Sequence, residues 1–134
     1  MDSEAAIHHG ACLCGAVRYR VAGPLAPVVA CHCTMCRRQT GHFLASTNVA
    51  ETDLALEGVG HVRWYAASEI AERGFCGTCG SVLFWRRPGS GRIAIAMGGF
   101  DKPTGTAIDR HIFVADKGDY YEIADGIQQF PGDD

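Results

Sequence analysis

Seven cysteines fall in three tight clusters: Cys12-Leu13-Cys14, Cys31-His32-Cys33-Thr34-Met35-Cys36 and Cys76-Gly77-Thr78-Cys79. Thiols at such spacings form metal-ligand or redox patterns rather than a disulfide framework, and an odd number cannot pair completely within one chain. Thiols kept free in this way point to a reducing compartment, where they serve as metal ligands or nucleophiles. Structural zinc takes four ligands in a tetrahedron, so one short pair cannot complete a site by itself. Any fold of this chain must therefore let two of the clusters meet.

The first and third clusters are the natural partners. In each, the second cysteine is followed directly by a glycine, Gly15 and Gly80. A glycine there permits a left-handed turn that brings backbone N–H groups toward the sulfurs. Cys12, Cys14, Cys76 and Cys79 are thus expected to hold a structural zinc; the alternative is a set of buried free thiols or a reducible dithiol. In the middle cluster, Cys31 and Cys33 follow the strand-like run Val28-Val29-Ala30, and alternation along a strand would aim both sulfurs at one point. Cys36 follows within a turn. Three protein ligands leave one tetrahedral position for water or substrate, the arrangement of a catalytic rather than a structural zinc. Two other readings stay open: closure of the site by His32, His42 or His111, and a redox dithiol at Cys33 and Cys36.

The remaining sequence indicates what carries these clusters. At 134 residues, with 47% hydrophobic and 20% charged content, the chain reads as one globular domain over residues 1–134. No run of 18 apolar residues occurs, and Met1-Asp2-Ser3-Glu4 has neither the basic nor the apolar region of a signal peptide. The expectation is a soluble, cytoplasmic protein without a membrane partner. A formal charge of -3 argues against nucleic acid as a partner, because phosphate binding needs a basic face.

Seventeen glycines punctuate short runs rich in β-branched and aromatic residues, which predicts a mainly β fold with little helix. Strands are expected at residues 16–21, 28–33, 43–49, 53–57, 62–65, 72–75, 81–85, 92–96, 110–114 and 120–123. Helix is limited to a turn or two after Met35 and around Thr104 to Ile108, and fraying to Met1–Ala6 and Pro131–Asp134. Trp64, Trp85, Phe43, Phe84, Phe100 and Phe113 are expected in the core, and His8-His9 at the surface.

The stretches Gly10-Ala11-Cys12-Leu13-Cys14-Gly15-Ala16-Val17-Arg18-Tyr19, Cys31 to Gly41, Arg73 to Ser81, Gly98-Gly99-Phe100-Asp101, and His111-Ile112 with Lys117 and Tyr120-Tyr121 resemble the glutathione-dependent formaldehyde-activating enzymes, or CENP-V/GFA domain. The resemblance covers about residues 8–124. It implies a single Mss4-like zinc-containing β domain with two zinc ions per chain, one structural (Cys12, Cys14, Cys76, Cys79) and one catalytic (Cys31, Cys33, Cys36). The implied activity is that of a carbon-sulfur lyase joining glutathione to formaldehyde to give S-hydroxymethylglutathione, so the implied partners are a small thiol and a small aldehyde. The chain departs from the family pattern at His42, where many members carry a small residue, and in being shorter than the glutathione enzyme proper.

A thiol in the open zinc position would lose its proton near neutral pH, and its attack on an aldehyde yields an alkoxide that must be protonated. His32, His42 and His111 are the candidate acid/base groups, each with a bland alternative as a structural side chain. Arg37 and Arg38, directly after the last cysteine, are candidates for holding substrate carboxylates, or else a solvated pair offsetting the thiolate charge. A non-catalytic zinc module that binds a small thiol or a protein partner is the competing function, and a redox switch at Cys33 and Cys36 the third.

Overall fold

The computed structural model describes residues 6–133. Alternation in Arg18-Tyr19-Arg20-Val21 buries Tyr19 and Val21 and turns both arginines outward, which makes β2 (Arg18–Ala22) a half-buried strand. It is the centre of a three-stranded antiparallel sheet, between β1 (Ile7–Ala11) and β5 (Leu54–Glu57). The other seven strands are β3 (Val28–Cys31), β4 (Leu44–Ala50), β6 (Val62–Tyr65), β7 (Glu72–Cys76), β8 (Val82–Arg86), β9 (Arg92–Ala96) and β10 (Ile108–Ile112). They form one sheet in the order β10-β3-β4-β9-β8-β7-β6, antiparallel throughout except for the parallel β10–β3 pair. The mainly β expectation is met, and the chain forms one domain.

The two sheets share a core. Val17, Tyr19 and Val21 meet Val49, Leu83, Phe84, Ile93, Ile95 and Phe100 in one buried cluster. Tyr19 sets the contact angle, standing edge-on to Phe84 (5.8 Å) and Phe100 (5.3 Å), the arrangement that ring quadrupoles favour. The opposite face of the large sheet is left for a cavity. Hydrogen-bonded register places Arg73, Trp85, Ala94 and Asn48 in one row across β7, β8, β9 and β4, and all four line that cavity. The single α-helix among the described residues, α1 (Thr34–Thr40), follows β3 directly.

Several boundaries differ from expectation for identifiable reasons. β2 starts at Arg18 rather than residue 16, because Val17 closes the first cysteine turn: Cys12 N–H donates to its carbonyl at 3.0 Å. β3 ends at Cys31 rather than Cys33, because Cys33 caps α1. Strand β1, which includes His8 and His9, was not expected, since Ile7-His8-His9-Gly10 carries little β propensity; it is held by five paired positions on β2. His9 is exposed and His8 half-buried. Residues 120–123 form no strand; Lys117 Nζ donates to the carbonyls of Gly118 (3.0 Å) and Tyr121 (2.6 Å) and folds the segment into a turn. Residues 104–108 form no helix and lead instead into β10. Pro131 and Gly132 are tied down rather than frayed: their carbonyls accept from Ala115 N–H at 3.3 Å and Phe113 N–H at 3.0 Å. The expected fraying of residues 1–5 and 134 lies outside the described residues. No described helix is long and apolar enough to cross a membrane.

Gly58 fixes how the first cysteine turn meets the rest of the molecule. Its φ is +80°, and a Cβ there would stand 1.9 Å from the Ala16 carbonyl oxygen. Gly58→Ala must therefore adopt a disfavoured left-handed conformation and also displace main chain, at about 2 kcal/mol or more. The expected result is a melting temperature lower by roughly 5–10 °C in a thermal scan. An unchanged value would mean that the turn at Ala16 yields freely.

Candidate functional site

Cys12 and Cys14 lie in the connection between β1 and β2, Cys76 ends β7, and Cys79 sits in the turn before β8. The four sulfurs lie within 4.8 Å of one another. Cys12 Sγ is 3.7 Å from Cys14 Sγ, and Cys14 Sγ is 3.9 Å from Cys76 Sγ. A tetrahedron with metal–sulfur bonds of about 2.3 Å has edges of about 3.8 Å, so the donor set fits zinc in both type and spacing. Gly15 and Gly80 have φ of 81° and 82°, the left-handed turns expected from their positions. These turns direct amides to the sulfurs: Val17 N–H donates to Cys12 Sγ at 3.3 Å, and Thr78 and Cys79 N–H donate to Cys76 Sγ at 3.4 and 3.5 Å. The Ser81 hydroxyl, 3.2 Å from Cys79 Sγ, and nearby amides hold that thiol down at about 5. At Cys14 the Ala16 amide acts to lower the thiol, yet burial and three neighbouring sulfurs outweigh it and push it up to about 11. Thiols this crowded cannot all carry charge without a cation among them.

The middle cluster converges by a different route from the one expected. Cys31 is the last residue of β3, but Cys33 stands outside the strand as the N-cap of α1, its sulfur accepting from Cys36 N–H at 3.3 Å. Cys36 is buried in the first turn of the helix. A helical turn, and not strand alternation, brings the three sulfurs within 4.8 Å of one another, and no further His, Cys, Asp or Glu among the described residues joins them. The hydrogen bonds from Cys31 and Cys36 hold Cys33 down at about 2, while the bond to Cys33, its partner Cys36 and burial push Cys31 far up. One sulfur carries the charge and its neighbours keep their protons until a cation arrives.

These sulfurs open on a cavity of about 710 Å³ over the free face of the large sheet. Met35, Ile70, Trp85 and Phe113 supply apolar walls, and Arg73, Arg87 and Arg110 bring positive charge. Trp85 and Phe113 therefore face the cavity rather than the core, whereas Phe84 and Phe100 are core residues as expected. Phe43 packs on His32 (4.8 Å), and Trp64 stacks on Phe84 (6.0 Å) at the core edge. A second concavity, of about 520 Å³ beside β1, β2 and β5, has no thiol in its lining.

The three histidines do not reach the cavity lining. His32 is fully buried, with both ring nitrogens in use: Nδ1 pairs with Tyr121 Oη at 2.5 Å and Nε2 with His111 Nδ1 at 2.9 Å. His111 Nε2 in turn donates to Asp125 Oδ2 at 2.8 Å. One proton arrangement satisfies the whole chain: Tyr121 donates to His32, His32 to His111, and His111 to the Asp125 carboxylate. Burial first, then the neighbouring His111, His42 and Lys117, hold His32 down at about 4, so it is neutral at pH 7. His42 is exposed, its ring against Phe43 (4.6 Å) and Tyr121 (4.3 Å). His32, between the end of β3 and the cap of α1, points away from the cavity into a closed hydrogen-bonded network.

Arg37 and Arg38 are also absent from the cavity lining. Arg73 is the cation that sequence reasoning missed. Its Nη2 and Nη1 stand 3.5 and 3.6 Å from Cys36 Sγ, and Nη1 donates to Gln39 Oε1 at 2.8 Å. The only signal available was an arginine followed by Gly74 and Phe75 in a strand that ends on a candidate metal ligand, Cys76.

A two-sheet β domain with one four-thiol cluster joining its sheets, and a three-thiol cluster open to a cavity, defines a protein with two candidate metal centres. The chain belongs to the glutathione-dependent formaldehyde-activating enzyme family, whose model matches residues 7–116. It is 37% identical over 84 residues to a Halomonas elongata protein provisionally named as a glutathione-dependent formaldehyde-activating enzyme, a match covering 56% of this chain and 53% of that one. The match thus spans about half the length of that relative. A Schizosaccharomyces pombe protein named as an uncharacterized lyase is 28% identical over 130 residues, covering 95% of this chain and 93% of the other. A Rhodobacter sphaeroides crystal structure superposes with a TM-score of 0.59 at 26% identity, over 71% of this chain and 89% of that one.

Proposed function

We propose that the chain is a zinc-dependent carbon-sulfur lyase-type enzyme that joins a small thiol to an aldehyde, with glutathione and formaldehyde as the substrates that family membership favours. The observation that carries this reading is the three-sulfur cluster of Cys31, Cys33 and Cys36, without a fourth protein ligand among the described residues, at the wall of a cavity of about 710 Å³. Zinc bound there would lower the pKa of a thiol in its fourth position, so that a thiolate forms near neutral pH. Cys31, Cys33 and Cys36 would hold the ion, and all three line the cavity through which a thiol could reach it. In the addition, the C–S bond forms as the carbonyl pair moves to oxygen, and the proton lost by the thiol ends on that oxygen. Because His32, His42 and His111 lie off the cavity, the acid/base role first considered for them passes to solvent or to the cavity hydroxyls of Ser46 and Ser68. Carboxylate binding likewise moves from Arg37 and Arg38 to Arg87 and Arg110, whose side chains line the cavity. Cys12, Cys14, Cys76 and Cys79 serve as the structural zinc site. All seven cysteines are free, which fits the reducing cytoplasm.

Elemental analysis of the purified chain tests the metal assignment. Two zinc ions per chain are expected, one retained and one lost to mild chelation, since a three-ligand site holds metal less firmly. Exchange NMR on glutathione and labelled formaldehyde tests the reaction: addition should run faster with protein than without it. A metal content of one after zinc supplementation would sink the open-site reading. Two zinc ions without rate enhancement would favour a non-catalytic thiol-binding module.

A further inference from the structure

We infer that Arg73 lets the Cys31, Cys33 and Cys36 centre accept an anionic fourth ligand, and so selects thiolates over neutral donors. The inference rests on reading that cluster as a zinc site with an open position. Arg73 is 6% exposed, yet it lines the cavity, because the row it shares with Trp85, Ala94 and Asn48 faces that way. Both terminal nitrogens lie against Cys36 Sγ, and Gln39 Oε1 fixes their plane. Its Nε is buried without a hydrogen-bond partner. A guanidinium cannot shed its proton in a protein, so its burial is tolerable only beside negative charge. With an ion bound among the three cysteines, the Cys36 thiolate would supply that charge on one side, and the cavity offers room for more on the other.

Charge counting gives the arrangement its purpose. Three thiolates on a divalent ion make a centre of net charge -1, and a fourth thiolate would make it -2. An anion entering a half-enclosed cavity against a like charge is disfavoured, whereas a neutral donor meets no such barrier. The Arg73 charge, fixed at the ligand set rather than in solvent, offsets the extra unit at the point where it arrives. Arg87 is exposed, where solvent screens its charge.

The test uses the full chain loaded with cobalt in both sites. Visible absorption follows titration with 2-mercaptoethanol, which binds as an anion, and with imidazole, which binds neutral. Arg73→Met should keep two cobalt ions per chain and bind imidazole within about two-fold of the parent, but lose about thirty-fold or more in thiol affinity. Arg73→Lys, which keeps the charge, should stay within about five-fold for both ligands. Equal losses for thiol and imidazole in Arg73→Met, or no loss for either, would overturn the inference, as would a loss in Arg73→Lys as large as that in Arg73→Met. Should Arg73→Met not fold, the parent and Arg73→Lys decide: both must bind thiol at least about ten-fold more tightly than imidazole, and a ratio near one in the parent overturns the proposal. A parent chain that takes up only one cobalt ion overturns the metal reading, and this inference falls with it. Two cobalt ions per chain together with equal losses for both ligands, or no loss for either, in Arg73→Met overturn this inference alone.

Discussion

Replacing Cys76 with serine is expected to leave the chain without a cooperative thermal transition. Cys76 is fully buried, and its sulfur belongs to the four-thiol cluster that ties the β1–β2 connection to the β7–β8 turn. The two turns belong to different sheets, so the bound ion would staple the three-stranded sheet to the seven-stranded one. Structural zinc in small domains supplies about 10–16 kcal/mol of apparent binding energy, which is folding energy where no site exists in the unfolded chain. A domain of this size has a net stability of only about 5–15 kcal/mol. Loss of one ligand would also leave Cys12, Cys14 and Cys79 crowded without a cation among them. Circular dichroism against temperature, with metal content measured in parallel, checks the expectation, and a strong chelator acting on the parent chain should reproduce it. A variant that melts at the parent temperature would show that these four thiols contribute packing and no metal.

Cys33→Ser should have the opposite profile, with the fold intact and catalysis gone. The Cys33 side chain already caps α1 by accepting from Cys36 N–H, and serine is among the best residues at such a cap, so stability should change by no more than about 1 kcal/mol. The hydroxyl is, however, a poor ligand for zinc beside two thiolates. With the second site emptied, an incoming thiol loses the activation that a bound metal supplies, a contribution of several kcal/mol. The rate of glutathione addition to formaldehyde should fall by about a hundred-fold or more, to the level without protein. Elemental analysis should then find one zinc per chain, and the melting temperature should stay near that of the parent. Retained turnover would move the chemistry away from this cluster.

Much of the fold was legible in short stretches because its determinants are local. The apolar runs at residues 16–21 and 92–96 marked strands, and both stretches carry one. The glycines after Cys14 and Cys79 marked left-handed turns, and both are. Strand β1 escaped notice because its residues gain their conformation from pairing with β2, and residues 120–123 misled because Lys117 binds the Tyr121 carbonyl together with that of Gly118. Cys33 was expected on a strand from its spacing, whereas capping a helix satisfied amides that a strand would have left elsewhere.

By itself the sequence determined which thiols belong together, since ligand spacing within a cluster depends on a few consecutive dihedral angles. It also determined the class of fold, through short runs rich in β-branched and aromatic residues punctuated by glycine. Tertiary structure alone decided what surrounds those thiols. Arg73 reaches Cys36 across 37 positions of sequence, Tyr121 reaches His32 across 89, and the cavity row depends on the order β4-β9-β8-β7. Strand order and register are set by packing between segments distant in the chain, where a shift of one residue would turn Arg73, Trp85 and Ala94 to the other face of the sheet.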